Sequence, residues 1–373
     1  MIKVLNIITD MNIGGAGIVL QNYFAKADRE KFEHIVILPQ GAMLSERLRA
    51  LDVNVIEMPG IKVKSLDITA IKAFRQKFKE LGPDIVHTHA SLSARIAARQ
   101  YKKCAIVHTR HCAYPQSKFK TSYPMKQLLG CINNYFSDSI IAISPASREN
   151  LVDTGTKAEK ITSMFNGVLP VRKLSDEEKA ELRSSLGIAK DDFVCSIIAR
   201  LVPEKGHIYV LEAAKLLKDM PLKIIIAGSG AADEQLKAYA KQHELDNCIF
   251  TGFLNDVAGV ENISDFQLNA SYGTETSSLS LLESMSLSIP AVASDFGGNP
   301  YLITDGVNGY VVPQHDGKAL ADAIRKLLED PKKLAEMGAN ALEIYNERFT
   351  AEVMAANIEK VYEDTWRVYD NGK

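Results

Sequence analysis

The feature that most restricts how this chain can fold is an alternation of short apolar runs with segments of helical pattern, sustained over most of its length. In the first half the runs are VLNIIT (4–9), HIVILP (34–39), VNVIEM (53–58), DIVHTH (84–89), AIVHT (105–109), SIIAIS (139–144) and KITSMF (160–165). In the second they are FVCSIIAR (193–200), LKIIIAG (222–228), CIFTGF (248–253), FQLNA (266–270), PAVAS (290–294) and GYVVP (309–313). Strands apolar on both faces must be covered on both, and strands joined through helices run parallel. Two doubly wound parallel sheets are therefore expected. Between the two series lies NGVLPVRKLSDEEKAELRSSLGIAKDD, which places a linker near 166–172 and starts a helix with a Ser175/Glu178 capping box. The organisation read from this is a first domain over 1–168, a second over 169–350, and one amphipathic helix over 351–373 whose large aromatics need a surface to cover.

At 373 residues the chain is too long for one ordinary core. Its 46% hydrophobic and 24% charged content are those of a soluble globular protein, and no apolar run approaches the length of a membrane span. The start, MIKVLNIITD, reads as a strand rather than a signal peptide. Five cysteines, odd in number and without paired metal-ligand spacing, imply reduced thiols in a cytosolic protein, with neither disulfide nor structural zinc. Residues 1–170 hold 23 Lys and Arg against 14 Asp and Glu, leaving 21 against 32 for residues 171–373. The basic half includes QSKFKTSYPMKQLL, where Lys118, Lys120 and Lys126 interleave with Phe119, Tyr123 and Leu128. An anionic membrane surface or a phosphorylated acceptor suits such a stretch, and ordinary surface charge is the plainer reading.

In open α/β sheets ligands bind beyond the C-terminal ends of the strands, so chemistry is sought there. After the first strand comes Asp10-Met-Asn-Ile-Gly14-Gly15-Ala16-Gly17, where glycines allow a bulky or charged ligand close to the backbone. A tight turn accounts for it equally well, and it is not the dinucleotide fingerprint. His87, His89, His108 and His111 gather near two strand ends, His87 and His89 on one face of theirs. No convergent carboxylate completes a metal site, so these rings are expected to donate to a sugar hydroxyl or to pack against backbone. Arg200 closes a strand, and Lys205-Gly206 follows at a helix start, a compact cationic place for a diphosphate. Gly228-Ser229-Gly230 and Thr251-Gly252-Phe253-Leu254 end the next two strands and could receive a nucleobase through backbone groups and an apolar wall.

The last of these signals is YGTETSSLSLLESMSLSIPAVASD, which carries Glu275 and Glu283 eight positions apart. Thr276-Ser277-Ser278 reads as a polar loop entering a helix that buries Leu279, Leu281, Leu282 and Met285. Glu275 then precedes the helix N-terminus, itself suited to an anion, and Glu283 sits about two turns inside. Such carboxylates can accept sugar hydroxyls, although an N-terminal acidic residue and a solvated glutamate would give the same spacing.

Taken in register, IGGAGIVLQNYF, PDIVHTHASLSARIAA, VHTRH, DSIIAISPASRENL, KITSMFNGV, ARLVPEKGHIYVLEA, IIIAGSGAADEQL, IFTGFLNDV and ETSSLSLLESMSLSIPAVASDFGGNPYLITDGVNGYVV cover essentially the whole chain. In this the chain resembles the family-4 retaining glycosyltransferases. The resemblance implies two Rossmann-like domains facing across a cleft (the GT-B arrangement), with the final helix, including Tyr362 and Trp366, crossing back to the first. It implies transfer of a sugar from a nucleotide diphosphate, a UDP-hexose or UDP-N-acetylhexosamine, to an acceptor hydroxyl with retained configuration. It places Arg200 and Lys205 on the diphosphate, Glu283 on the ribose, Glu275 on the sugar hydroxyls with the amides of Ser278 and Leu279 at the phosphate, and His111 near the reacting carbon. Gly14 and Gly15 cover the diphosphate, and Gly228, Phe253 and Leu254 complete the nucleotide site. It implies no cofactor and no metal, arginine and lysine supplying the electrostatics, and a phosphate oxygen of the leaving group takes the acceptor proton.

Where many members carry E-G-F-G, this chain has Glu275-Thr276-Ser277-Ser278, so the identity of the donor sugar does not carry over. The expected acceptor is a cell-envelope, capsular or exopolysaccharide glycan or its lipid-linked precursor, met in the cytoplasm or at the inner face of the plasma membrane. The stretch 112–130 is expected to shape that choice, and no nucleic-acid partner is expected. Two rivals remain: a non-catalytic sugar-nucleotide-binding protein, and a sugar-nucleotide 2-epimerase of the same architecture, whose acid/base set the Glu275/Glu283 pattern does not match.

Overall fold

The computed structural model describes residues 1–61, 65–112 and 116–372, so that 113–115, within the stretch expected to shape the acceptor, lie outside the described residues. The chain divides into two compact units, Met1–Val168 with the segment from Thr350 onward, and Leu169–Phe349.

The sheet of the first unit contains β1 (Ile2–Ile8), β2 (Phe32–Pro39), β3 (Asn54–Met58), β4 (Ile85–His89), β5 (Ala105–Arg110), β6 (Ser139–Ala142) and β7 (Ile161–Ser163). They lie in the order β3-β2-β1-β4-β5-β6-β7, all parallel. That order puts the C-terminal ends of β1, β4 and β5 side by side, with Ile8 level with His89 and His89 level with Thr109. Leu5, Ile7, Ile35, Ile37, Val86 and Ile106 point into a core closed by Phe74 and Phe78, all nearly inaccessible. Each such side chain contributes about 1.5–3 kcal/mol by leaving water.

The second unit contains β8 (Phe193–Ile198), β9 (Leu222–Ala227), β10 (Cys248–Gly252), β11 (Phe266–Asn269), β12 (Ala291–Ser294) and β13 (Gly309–Val312), in the order β10-β9-β8-β11-β12-β13. Each apolar run of the sequence is thus a strand, with ends shifted by a residue or two in either direction. Strand β8 stops at Ile198, so Arg200 stands just beyond it rather than closing it. The reversal of order at β8 sets the loops after β8 and β11 next to each other, the position where such sheets hold ligands. The Ser175/Glu178 capping box forms, with Glu178 Oε2 accepting from the Ser175 amide at 2.7 Å and Ser175 Oγ accepting from the Glu178 amide at 3.2 Å.

The closing helix, Ala351–Asn371, belongs to the first unit. Its buried residues Met354, Ile358, Val361, Tyr362 and Thr365 fall at helical spacing on one face. Thr350 caps it by accepting from the Val353 amide at 3.2 Å. Tyr362 is fully buried, edge-on to Phe32 at 5.7 Å, and its hydroxyl lies 2.6 Å from His87 Nδ1.

Candidate active site

In the second unit Lys205 and Glu275 meet. Lys205 follows β8 in a short 3-10 turn, Pro203–Lys205, and its ammonium lies 2.8 Å from Glu275 Oε2 while also donating to the Thr274 carbonyl at 3.0 Å. Asn269 Nδ2 and Ser271 Oγ donate to the same Oε2, each at 3.2 Å. Oε1 accepts nothing among the described residues, although the residue is only 7% exposed. The Glu275 carboxylate is therefore fixed by one oxygen and has acceptor capacity left on the other. The turn beneath it requires glycine: Gly297 has φ +61°, and a Cβ there would lie 1.9 Å from the Glu275 carbonyl oxygen.

The helix after this loop runs Leu279–Ser286. It buries Leu281, Leu282 and Met285 as expected, whereas Leu279 is only half-buried and Glu283 stands little more than one turn inside rather than two. Ser278 precedes the helix with no side-chain cap, because its hydroxyl accepts from Asn269 Nδ2 at 3.1 Å and meets Ser280 Oγ at 3.2 Å. Thr276, Ser277 and Ser278 are all buried. Arg200 is exposed and makes no ion pair among the described residues. Gly228 has φ +147°, and Phe253, after β10, is 69% exposed. Leu254 is partly buried and packs against a small core with Ile188, Val194 and Ile225.

Two groups in this unit were not legible in the sequence. Asn269 holds Glu275 and Ser278 together, and the buried Asn299 in turn donates to Asn269 Oδ1 at 3.3 Å. Glu261 is 1% exposed, with neither carboxylate oxygen bonded among the described residues. Burial, then the nearby Glu283 and Asp256, push its carboxyl up to about 9, and burial pushes Glu283 up to about 7.

The first unit gathers its histidines as the strand register requires. The His87 and His89 rings lie 4.3 Å apart between centroids, tilted by 40°, and His89 Nδ1 is 2.8 Å from His111 Nε2. His87 Nε2 is 2.7 Å from Thr109 Oγ1, while His108 turns to Thr88. Burial keeps these rings neutral, with His111 pushed down to about 4 and His87 to about 3. Gly14 caps the helix Gly15–Phe24, and a Cβ added at Gly14 or Gly15 meets nothing within 4 Å. Among the described residues no group of three or more His, Cys, Asp or Glu side chains is disposed to hold a metal ion, and no helix is long and apolar enough to cross a membrane.

Two parallel-sheet units with a lysine–glutamate pair at the strand-order reversal define a GT-B-type, Rossmann-like protein. Residues 13–172 match Glycosyltransferase Family 4, and residues 178–344 match Glycosyl transferases group 1. The chain belongs to the family-4 glycosyltransferases. It is 28% identical over 300 residues to EpsD of Bacillus subtilis (strain 168), described as a glycosyltransferase, covering 75% of this chain and 77% of that one. It is 26% identical over 277 residues, 71% of each chain, to the UDP-Gal:alpha-D-GlcNAc-diphosphoundecaprenol alpha-1,3-galactosyltransferase of Escherichia coli. The crystal structure of Anabaena HepE in complex with UDP and glucose superposes with a TM-score of 0.84 at 23% identity, over 97% of this chain and 100% of that one.

Proposed function

We propose that this glycosyltransferase moves a hexosyl or N-acetylhexosaminyl group from a UDP-sugar to a hydroxyl of a glycan or lipid-linked acceptor, with retention of configuration, in the assembly of a cell-envelope, capsular or exopolysaccharide glycan. The observation that carries this reading is the one-sided anchoring of Glu275: Lys205, Asn269 and Ser271 all bond Oε2. A carboxylate held in that way offers Oε1 to the hydroxyls of a bound sugar. Lys205 beside it and the exposed Arg200 supply positive charge for a diphosphate whose negative charge grows as the bond to the sugar breaks. The amides of Ser278 and Leu279, at the helix start, add donors for the same phosphate. Glu283 serves the ribose and Phe253 the nucleobase.

In the first unit Gly14 and Gly15 are glycines that the surrounding protein does not itself demand, which suits the close approach of a ligand backbone-on. His111, held neutral by burial, acts as a hydrogen-bonding group toward the donor sugar rather than as a charged acid. The Escherichia coli relative, named for a GlcNAc-diphosphoundecaprenol acceptor, supports a lipid-linked acceptor. So do the exposed Phe119, Tyr123, Leu128 and Tyr135, beside Lys118, Lys120 and Lys126, which give the first unit an amphipathic face suited to an anionic membrane.

Thermal shift against a panel of nucleotide sugars tests the donor class. A UDP-sugar at 100 times its dissociation constant should stabilise the protein by about 2.7 kcal/mol. Transfer from that sugar with unchanged anomeric configuration, read by NMR of the product, completes the test. Stabilisation only by a non-uridine nucleotide, or an inverted product, overturns the reading.

A further inference from the structure

The histidines of the first unit border a cavity of about 20 Å3, lined among others by Asn6, His87, His89, His111 and Tyr362. That is room for about one water molecule. Two buried atoms of its lining residues, Asn6 Nδ2 and His89 Nε2, have no hydrogen-bond partner among the described residues. Buried polar groups of this kind are costly unless something bonds them.

The proton positions around the cavity follow in sequence. The Tyr362 hydroxyl lies 3.4 Å from Asn6 Oδ1 and also bonds the Tyr23 hydroxyl; with its one hydrogen directed at Asn6 Oδ1 it orients the amide. In that arrangement His87 Nδ1, 2.6 Å from the hydroxyl, is the donor, and His87 Nε2 accepts from Thr109 Oγ1 at 2.7 Å. His89 and His111 share one hydrogen between Nδ1 and Nε2 at 2.8 Å, and its owner is not fixed by that contact alone.

We infer that Asn6 and His89 are positioning residues for His111, acting through one water in this cavity. The water accepts from Asn6 Nδ2 and donates to His89 Nε2. The proton of His89 then sits on Nδ1 and is donated to His111 Nε2, so His111 carries its own proton on Nδ1. The opposite tautomer of His89 would aim two N–H donors at one water oxygen and leave both water hydrogens to seek Tyr23, Thr109 or Asn166 in a wall whose surface is otherwise apolar. Burial keeps both rings neutral, His89 well below the usual imidazole range, so each holds a single proton whose place matters. His111 thereby presents a fixed N–H donor, suited to an oxygen of a sugar or phosphate and unsuited to taking a proton.

The catalytic consequence rests on the assignment of His111 to the donor sugar; the tautomer does not. The test is long-range 1H–15N NMR of the full chain with 15N-labelled histidine at pH 7.5, His111 being assigned by the signals lost in His111→Asn. The expected spectrum shows His111 protonated on Nδ1 and bare on Nε2. In Asn6→Leu, which removes the amide, both nitrogens should move to the averaged shifts of mixed tautomers, and transfer should fall about 10-fold. Tyr362→Phe, which keeps the ring and removes only the hydroxyl orienting the amide, should shift the pattern the same way. A wild-type His111 protonated on Nε2 overturns the inference even if neither variant folds, as does an unchanged spectrum in Asn6→Leu. Normal transfer by His111→Asn would sink the donor-sugar role alone, leaving the tautomer to stand on its spectrum.

Discussion

The two units share one alternation of strand and helix but equip their strand ends with opposite chemistry. In the first unit the ends of β4 and β5 bring neutral rings and hydroxyls together: His87, His89, His111, Thr109 and Tyr362 bond one another without a formal charge, Arg110 at the end of β5 turning instead to the Cys112 carbonyl. In the second unit the loops after β8 and β11 hold a formal ion pair, Lys205 with Glu275, with the exposed Arg200 close by in sequence. What separates them is the supply of partners. A buried imidazole becomes neutral by losing its proton, whereas a buried carboxylate keeps its charge only where donors converge on it. Glu275 has three donors on one oxygen; Glu261, as deeply buried in the same unit, has none and is pushed toward its acid form. Charge is thus concentrated where an anionic ligand would need it.

The contrast is broken most severely by removing that charge. Glu275→Gln keeps the volume and a side-chain acceptor for Asn269 but loses the anion. Transfer should fall by at least about 100-fold, the scale of losing a group that acts on developing charge. Arg200→Ala should cost as much activity while leaving Tm unchanged, since the side chain is exposed. Steady-state transfer assays paired with melting curves check both, and near-normal turnover in either variant removes it from the site. Glu275→Ala goes further, leaving Lys205 short of its counter-ion, and should also destabilise the fold by on the order of 3 kcal/mol.

A smaller effect comes from Glu261 and Glu283, pushed up to about 9 and about 7 from the usual 4.5. Groups whose folded pKa is raised are bound to their protons more tightly in the native state, so the stability they contribute is complete below about pH 4.5 and is lost as pH rises through 7 and 9. Wild-type Tm should fall by at least about 4 °C between pH 5.5 and 9. Glu261→Gln, permanently neutral, should lose most of that slope, and parallel melting curves for the two proteins would remove the buried acid from the account.

The smallest effect concerns the basic first unit. Phe119→Ser with Tyr123→Ser changes residues that are 67% and 79% exposed, so Tm should not move. Retention by liposomes containing anionic lipid at low salt should drop several-fold relative to wild type, and the wild-type binding should itself fade as salt is raised. Equal retention of the two proteins would leave the aromatic–lysine face without a membrane role.

Much of this was readable in the linear chain. Apolar runs such as LKIIIAG and HIVILP identify strands because the alternation of burial is local, and Ser175 with Glu178 identifies a helix start because both partners lie within one turn. The strand-end positions of Arg200, Lys205, Glu275 and His111 were legible for the same reason. That Lys205 and Glu275 bond each other was not, since they lie 70 positions apart and meet only because β8 neighbours β11. That Leu254 leans on the small core of Ile188, Val194 and Ile225 was not legible either, because a leucine after a strand carries no sign of which side it will face.

The sequence by itself determined the class of fold, the division near residue 168 and the residue types available at the strand ends, because periodicity and turn chemistry act over a few residues. Tertiary structure alone decided the order of the strands, and with it which of those residues are neighbours. It also decided the depth of burial of each, and burial together with the donors at hand is what leaves His111 neutral, Glu275 paired and Glu261 alone.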